Sequence, residues 1–161
     1  MEALLTSQPI LETILGIVGI ILVIFVHGIG IRIINQRFFE SWIRVSEITP
    51  RWRINVLLAF TIGSLGTLHF LETLFWAVPG TASGLIPSMR DSYYFVLETY
   101  TTLGEGNVTL PNQWRLIGPI IAMSGLFTFG WTGSVLVNIM TEFGKVDRKR
   151  SEARSNRRSG E

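Results

Sequence analysis

Three apolar runs, Ile10 to Ile34, Ile54 to Val78 and Leu116 to Met140, each exceed the roughly 20 helical residues needed to cross a hydrocarbon core. Inside a bilayer a helix satisfies its own backbone groups, so the runs predict an all-α membrane protein with three transmembrane helices. Composition agrees: 47% of the 161 residues are hydrophobic and 16% are charged. The mean hydropathy is +0.38, too apolar for an ordinary soluble domain of this size. The first run follows MEALLTSQP, which carries no Lys or Arg, and is about twice the length of a signal-peptide core, so it reads as a retained anchor. Cysteine is absent, which removes disulfides, thiolate nucleophiles and Cys-ligated metals.

Charge sets the orientation. Arg32, Arg37, Arg44, Arg51 and Arg53 follow the first run, and Lys145, Arg148, Lys149, Arg150, Arg154, Arg157 and Arg158 follow the third, leaving only Arg90 and Arg115 of the 14 basic residues elsewhere. The positive-inside rule then places the amino terminus outside the cell membrane and the tail in the cytoplasm. Four units result: an additional transmembrane helix over 1–35, a cytoplasmic amphipathic linker over 36–53, a central module over 54–143, and a basic tail over 144–161. In the linker Phe38, Phe39, Trp42 and Val45 form one helical stripe opposite Arg37, Glu40, Ser41 and Arg44, which suits a helix lying on the membrane surface. Thr49 and Pro50 read as the N-cap and first helical residue of the second span. The tail is nearly devoid of apolar residues and is expected to be disordered. Its charge suits anionic lipid headgroups, with no nucleic-acid partner implied.

Polar residues inside the spans carry the next constraint. Gly16, Gly19, Gly28 and Gly30 mark the first span as a helix-packing surface. His27 has no second histidine or carboxylate at ligand spacing, and reads as packed or hydrogen-bonded. His69 and Glu72 share one face of the second span, and Glu72 must be paired, protonated or turned to water. Pairing with His69, or bonds from the segment that follows, is the expectation.

Between the second and third spans lies PSMRDSYYFVLETYTTLGEGNVTLPNQW. Ser88 and Asp91 form a capping-box pattern that starts a short helix running to about Thr101. Three turns cannot cross a bilayer, and the glycine-containing stretch TTLGEGN follows at once. A re-entrant loop is predicted, its non-helical return bordering a pore or a cavity, because hydrocarbon tolerates no unsatisfied amides. The half-helix aims its negative carboxyl end at the membrane centre, which favours a cation there.

These residues resemble the pore module of potassium channels over positions 54 to 140: outer helix, pore helix, filter and inner helix. The usual filter reads T-V-G-Y-G-D after another threonine; here it reads Thr102, Leu103, Gly104, Glu105, Gly106 and Asn107, preceded by Thr101. LPNQWRLIGPI and GLFTFGWTGSVL are similar to small bacterial members. The resemblance implies a potassium-channel-like tetramer in which the carbonyls of Thr102, Leu103 and Gly104 replace water around a monovalent cation. Gly104 and Gly106 supply left-handed backbone without steric penalty, and one strand per chain requires a symmetric homo-oligomer to close the ring. The pattern T-x-G-acid-G-N resembles the filter of the bacterial non-selective sodium and potassium channel.

Glu105 replaces the filter tyrosine and cannot be buried ionised against Tyr94 or Phe95 without partners. It is expected to turn toward water or a hydrogen-bond donor, widening the outer filter and lowering potassium selectivity. Four such carboxylates about 8 Å apart repel pairwise by roughly 2 kcal/mol at an effective dielectric of ~20, so the ring holds protons or attracts cations, Ca2+ among them. Glu98 is expected behind the filter, where it could anchor Asn107. Gly125 is the preferred gating hinge, with Gly130 and Gly133 as alternatives and close packing as the competing role. No cofactor is implied beyond the permeant K+ and Na+. A Ser/His/Asp set, a metal cluster and a phosphate loop are all missing from the sequence, so no catalytic residue is assigned and an enzyme is not expected.

Overall fold

The computed structural model describes residues 2–46 and 48–159, with side chains for 9–46, 48–153, 155 and 156; Glu47 of the linker and residues 160–161 of the tail lie outside the described residues. Four α-helices account for most of it: α1 (Glu2–Trp42), α2 (Arg51–Ala82), α3 (Met89–Tyr100) and α4 (Ile117–Ser159), with a 3-10 turn at Asn112–Trp114. Among the described residues there is no strand. Three helices are long and apolar enough to cross a membrane, as predicted, at Pro9–Trp42, Arg51–Ala82 and within Asn112–Ala153.

The first span does not end at Ile34. α1 continues to Trp42, because nothing between Ile34 and Trp42 breaks a helix and Gln, Arg and Glu propagate one. The expected surface-lying linker is thereby corrected: its aromatic stripe packs on α4 instead. Phe38 is buried, its ring centroid 6.1 Å from that of Phe143, and Trp42 lies 4.6 Å from the same ring. Pro50 is the N-cap of α2 and makes no side-chain cap bond, so the helix starts one residue later than expected. The Thr49 hydroxyl accepts from the Ser46 amide at 2.9 Å and so serves the turn rather than the helix.

Small residues let α1 approach its neighbours, as its glycines suggest. A Cβ on Gly19 would lie 2.2 Å from the Trp76 ring, and one on Gly16 would lie 2.4 Å from Ile120. Lower in the bundle Ile31 joins Leu65 and Leu68 in a small core. The main core gathers Ala77, Ile86, Phe95, Val96, Tyr100 and Ile121, which wedges the short α3 between α2 and α4. Large apolar side chains such as Phe25, Phe60 and Val137 remain exposed, a surface suited to lipid and to other subunits.

α4 also overruns its predicted end. The tail expected to be disordered is helical through Ser159: its Lys, Arg, Glu and Ala residues are good helix formers. Arg150 donates to the carbonyls of Ser46 (3.2 Å) and Thr49 (2.6 Å), which anchors the extension to the α1–α2 turn.

Candidate ion filter and its buried support

The short helix forms where the capping box places it. Ser88 Oγ accepts from the Asp91 amide at 3.1 Å and donates to Asp91 Oδ2 at 2.7 Å. Twelve residues later α3 stops at Tyr100. Its last carbonyls are taken by the departing strand: the Thr101 amide donates to Leu97 O, Thr102 to Thr99 O, and both Leu103 and Gly104 to Glu98 O. From there every second residue is left-handed, with φ of 59° at Thr102, 65° at Gly104 and 73° at Gly106. Such alternation turns successive carbonyls toward one side. Thr102 was not anticipated among them. A β-branched residue in this conformation costs roughly 1–2 kcal/mol, and strain of this kind concentrates at functional sites. The period of two set by the glycines, extended backward by one step, could have revealed it. Residues 101–107 are exposed on the isolated chain, so nothing in the chain itself occupies the face they present.

Glu105 finds a donor, as required, and the donor is Tyr94: its hydroxyl donates to Glu105 Oε2 at 2.5 Å. The carboxylate holds the Tyr94 hydroxyl above the usual phenol range. Asn107 Nδ2 donates to the same oxygen at 3.4 Å. Asn107 is therefore tied to Glu105 and not to Glu98, a correction of the expected anchor. Glu98 is buried, and its Oε2 has no hydrogen-bond partner. It lines a cleft of about 440 Å³ behind the filter together with Gly104, Gly106 and Arg115. Thr101 Oγ1 donates back to Leu97 O at 2.7 Å and stays with the helix end.

Gly125 stands beside the same helix end. A Cβ there would fall 2.1 Å from the Tyr100 carbonyl oxygen, whereas Gly130 and Gly133 meet nothing within 4 Å. Close packing explains Gly125.

Behind the filter all four helices contribute to one polar cluster. The expected pair forms, with His69 Nδ1 3.4 Å from Glu72 Oε2, but closer partners hold Glu72. His27 of α1 bonds Glu72 Oε1 through Nδ1 at 2.6 Å, and the Tyr100 hydroxyl donates to Glu72 Oε2 at 2.5 Å. His27 thus has the carboxylate partner that its local sequence lacks. The partner stands 45 residues away on another helix. From α4, Thr128 Oγ1 lies 2.5 Å from the Tyr100 hydroxyl, and Thr132 Oγ1 lies 3.0 Å from His69 Nε2 and 3.3 Å from His27 Nε2. Ser124, Thr128 and Thr132 recur every four residues along the third span. That polar stripe was the available signal.

Comparison with known proteins follows the same outline. The family described as ion channel matches residues 56–142. The potassium voltage-gated channel protein shk-1 of Caenorhabditis elegans is 25% identical over 130 residues, covering 80% of this chain and 22% of that protein. The chain thus spans about a fifth of the length of that relative. No solved structure matches. With more than half of its length matched, the chain belongs to the ion channel family and carries a potassium-channel-like pore module rather than an enzyme.

Proposed function

We propose that the protein is a homotetrameric channel passing monovalent cations, K+ and also Na+, down their gradients across the cell membrane. The observation that carries this reading is the left-handed alternation at Thr102, Gly104 and Gly106 with a carboxylate at the intervening position 105. The carbonyls of Thr102, Leu103 and Gly104 form the ion sites, repeated around the axis by the other subunits. Glu105 hydrogen-bonds at its surface instead of packing as an apolar wedge, so the outer filter is wider and wetter than a potassium-selective one. Its ring of acids concentrates cations at the outer mouth and gives Ca2+ a site there. The amino terminus lies outside, and the basic α4 extension lies in the cytoplasm near anionic lipid.

One contact favours a second reading. The Tyr94–Glu105 bond ties the filter to α3 and could hold it narrow enough for K+ alone. Purified protein in liposomes separates the two. Reversal potentials near zero under opposed Na+ and K+ gradients, with current reduced by external Ca2+, match the proposal, and a large potassium-directed potential favours the narrow filter. A folded protein silent in both current and flux assays refutes conduction itself. The mass of the detergent-solubilised protein tests the tetramer.

A further inference from the structure

We infer that the first helix is a positioning element of the filter: His27, acting through Glu72 and Tyr100, fixes the end of α3 from which residues 101–107 depart. The inference rests on residues 102–106 being the ion filter. Tyr100 is the last residue of α3 and precedes the first left-handed filter residue by two positions. Its hydroxyl bonds Glu72 and His69 of α2 and Thr128 of α4, and meets His27 of α1 through Glu72.

Six contacts close the network: His27 Nδ1 to Glu72 Oε1, Tyr100 to Glu72 Oε2, Tyr100 to Thr128, His69 Nδ1 to Tyr100, His69 Nε2 to Thr132, and Thr132 to His27 Nε2. The two oxygens of Glu72 are divided between His27 of α1 and Tyr100 of α3, so the carboxylate is the link that carries α1 to the pore helix. On the other side of the Tyr100 hydroxyl, Thr128 is itself held by α4, donating to the Ser124 and Gly125 carbonyls at 3.1 Å. A carboxylate at membrane depth is kept only with such partners.

No other titratable group faces the cluster among the described residues. α1 contributes His27, α2 His69 and Glu72, and α3 Tyr100. α4 contributes the two hydroxyls and the rings of Trp131 and Phe129, which lie against His27 and His69. A metal ion does not fit these atoms as placed. Donors bound at about 2.0–2.1 Å in a tetrahedron stand about 3.3 Å apart, whereas His27 Nδ1 and Glu72 Oε1 are separated by 2.6 Å, the distance of a bond through a proton.

The test uses the full chain in liposomes, with Na+/K+ reversal potentials recorded for wild type, Tyr100→Phe, His27→Leu, His27→Asn and the His27→Leu/Tyr100→Phe double variant. Tyr100→Phe and His27→Leu are each expected to move the permeability ratio in the same direction by about fivefold, the factor worth one lost buried hydrogen bond. The double variant should move it no further than the larger single change, since both cut the same path. His27→Asn keeps a donor near the Nδ1 position and should restore the wild-type ratio. Unchanged ratios in conducting Tyr100→Phe and His27→Leu channels would overturn the inference and leave the network a packing device. Should His27→Leu fail to assemble, Tyr100→Phe and His27→Asn still decide the question. A silent wild type removes the filter reading and this inference together, whereas a current that responds to Glu105→Tyr but not to Tyr100→Phe removes the inference alone.

Discussion

Replacing Gly125 by alanine distinguishes packing from hinging by the sign of a stability change. The added methyl would stand 2.1 Å from the Tyr100 carbonyl oxygen and 3.0 Å from its carbon. An ordinary contact needs about 3.4 Å or more, so α3 and α4 must separate by about 1 Å. The obstacle is backbone and cannot rotate aside, which places the cost near the upper end of overpacking, about 3 kcal/mol. Alanine regains about 1 kcal/mol of helix propensity over glycine, leaving a net loss of about 2 kcal/mol. A hinge in open space would show only the propensity term and become more stable. Gly133→Ala, where nothing lies within 4 Å, is the matched control on the isolated-chain geometry. Denaturant unfolding of the purified protein in detergent reads both. Gly125→Ala with stability equal to or above wild type would refute the packing argument. A loss accompanied by altered conductance fits it, because the displaced carbonyl belongs to the residue that leads into the filter.

Three further outcomes follow from particular contacts. Ser88→Ala removes the N-cap of α3 and should cost about 1 kcal/mol, with Ser88→Asp recovering most of it in the same unfolding assay. Tyr94→Phe removes the donor to Glu105 and should change external Ca2+ block. Because the carboxylate raises the Tyr94 hydroxyl's pKa, the bond is fully present below about pH 10 and is lost as pH rises through the raised value. The difference between wild type and Tyr94→Phe should therefore persist across neutral pH and vanish only in strong alkali. Arg150→Ala releases two carbonyl contacts at the α1–α2 turn, so the α4 extension should become more susceptible to limited proteolysis while the spans stay protected.

The spans, the short helix α3 and the left-handed backbone at Gly104 and Gly106 are legible because each follows from local sequence: run length, a capping box, and glycines at a spacing of two. The long-range contacts were not. His27 appears solitary in its own helix, and its bond to Glu72 exists only because Gly19 and Gly30 let α1 close on Trp76 and Leu68. The Asn107 partner was misassigned for a related reason. Glu98 and Glu105 both lie within reach in sequence, and the turn at Gly106 decides between them by pointing Asn107 outward. Helices α1 and α4 run past the apolar runs that end at Ile34 and Met140, because hydropathy stops there but helix propensity does not.

The central claim concerns one position and is tested most directly by bi-ionic reversal potentials of the wild type and Glu105→Tyr, recorded in the same liposomes. A carboxylate-loosened filter predicts Na+ and K+ permeabilities of similar size in the wild type and a marked shift toward K+ in the variant. A wild type already strongly selective for K+, or a conducting variant whose potential does not move, would contradict it.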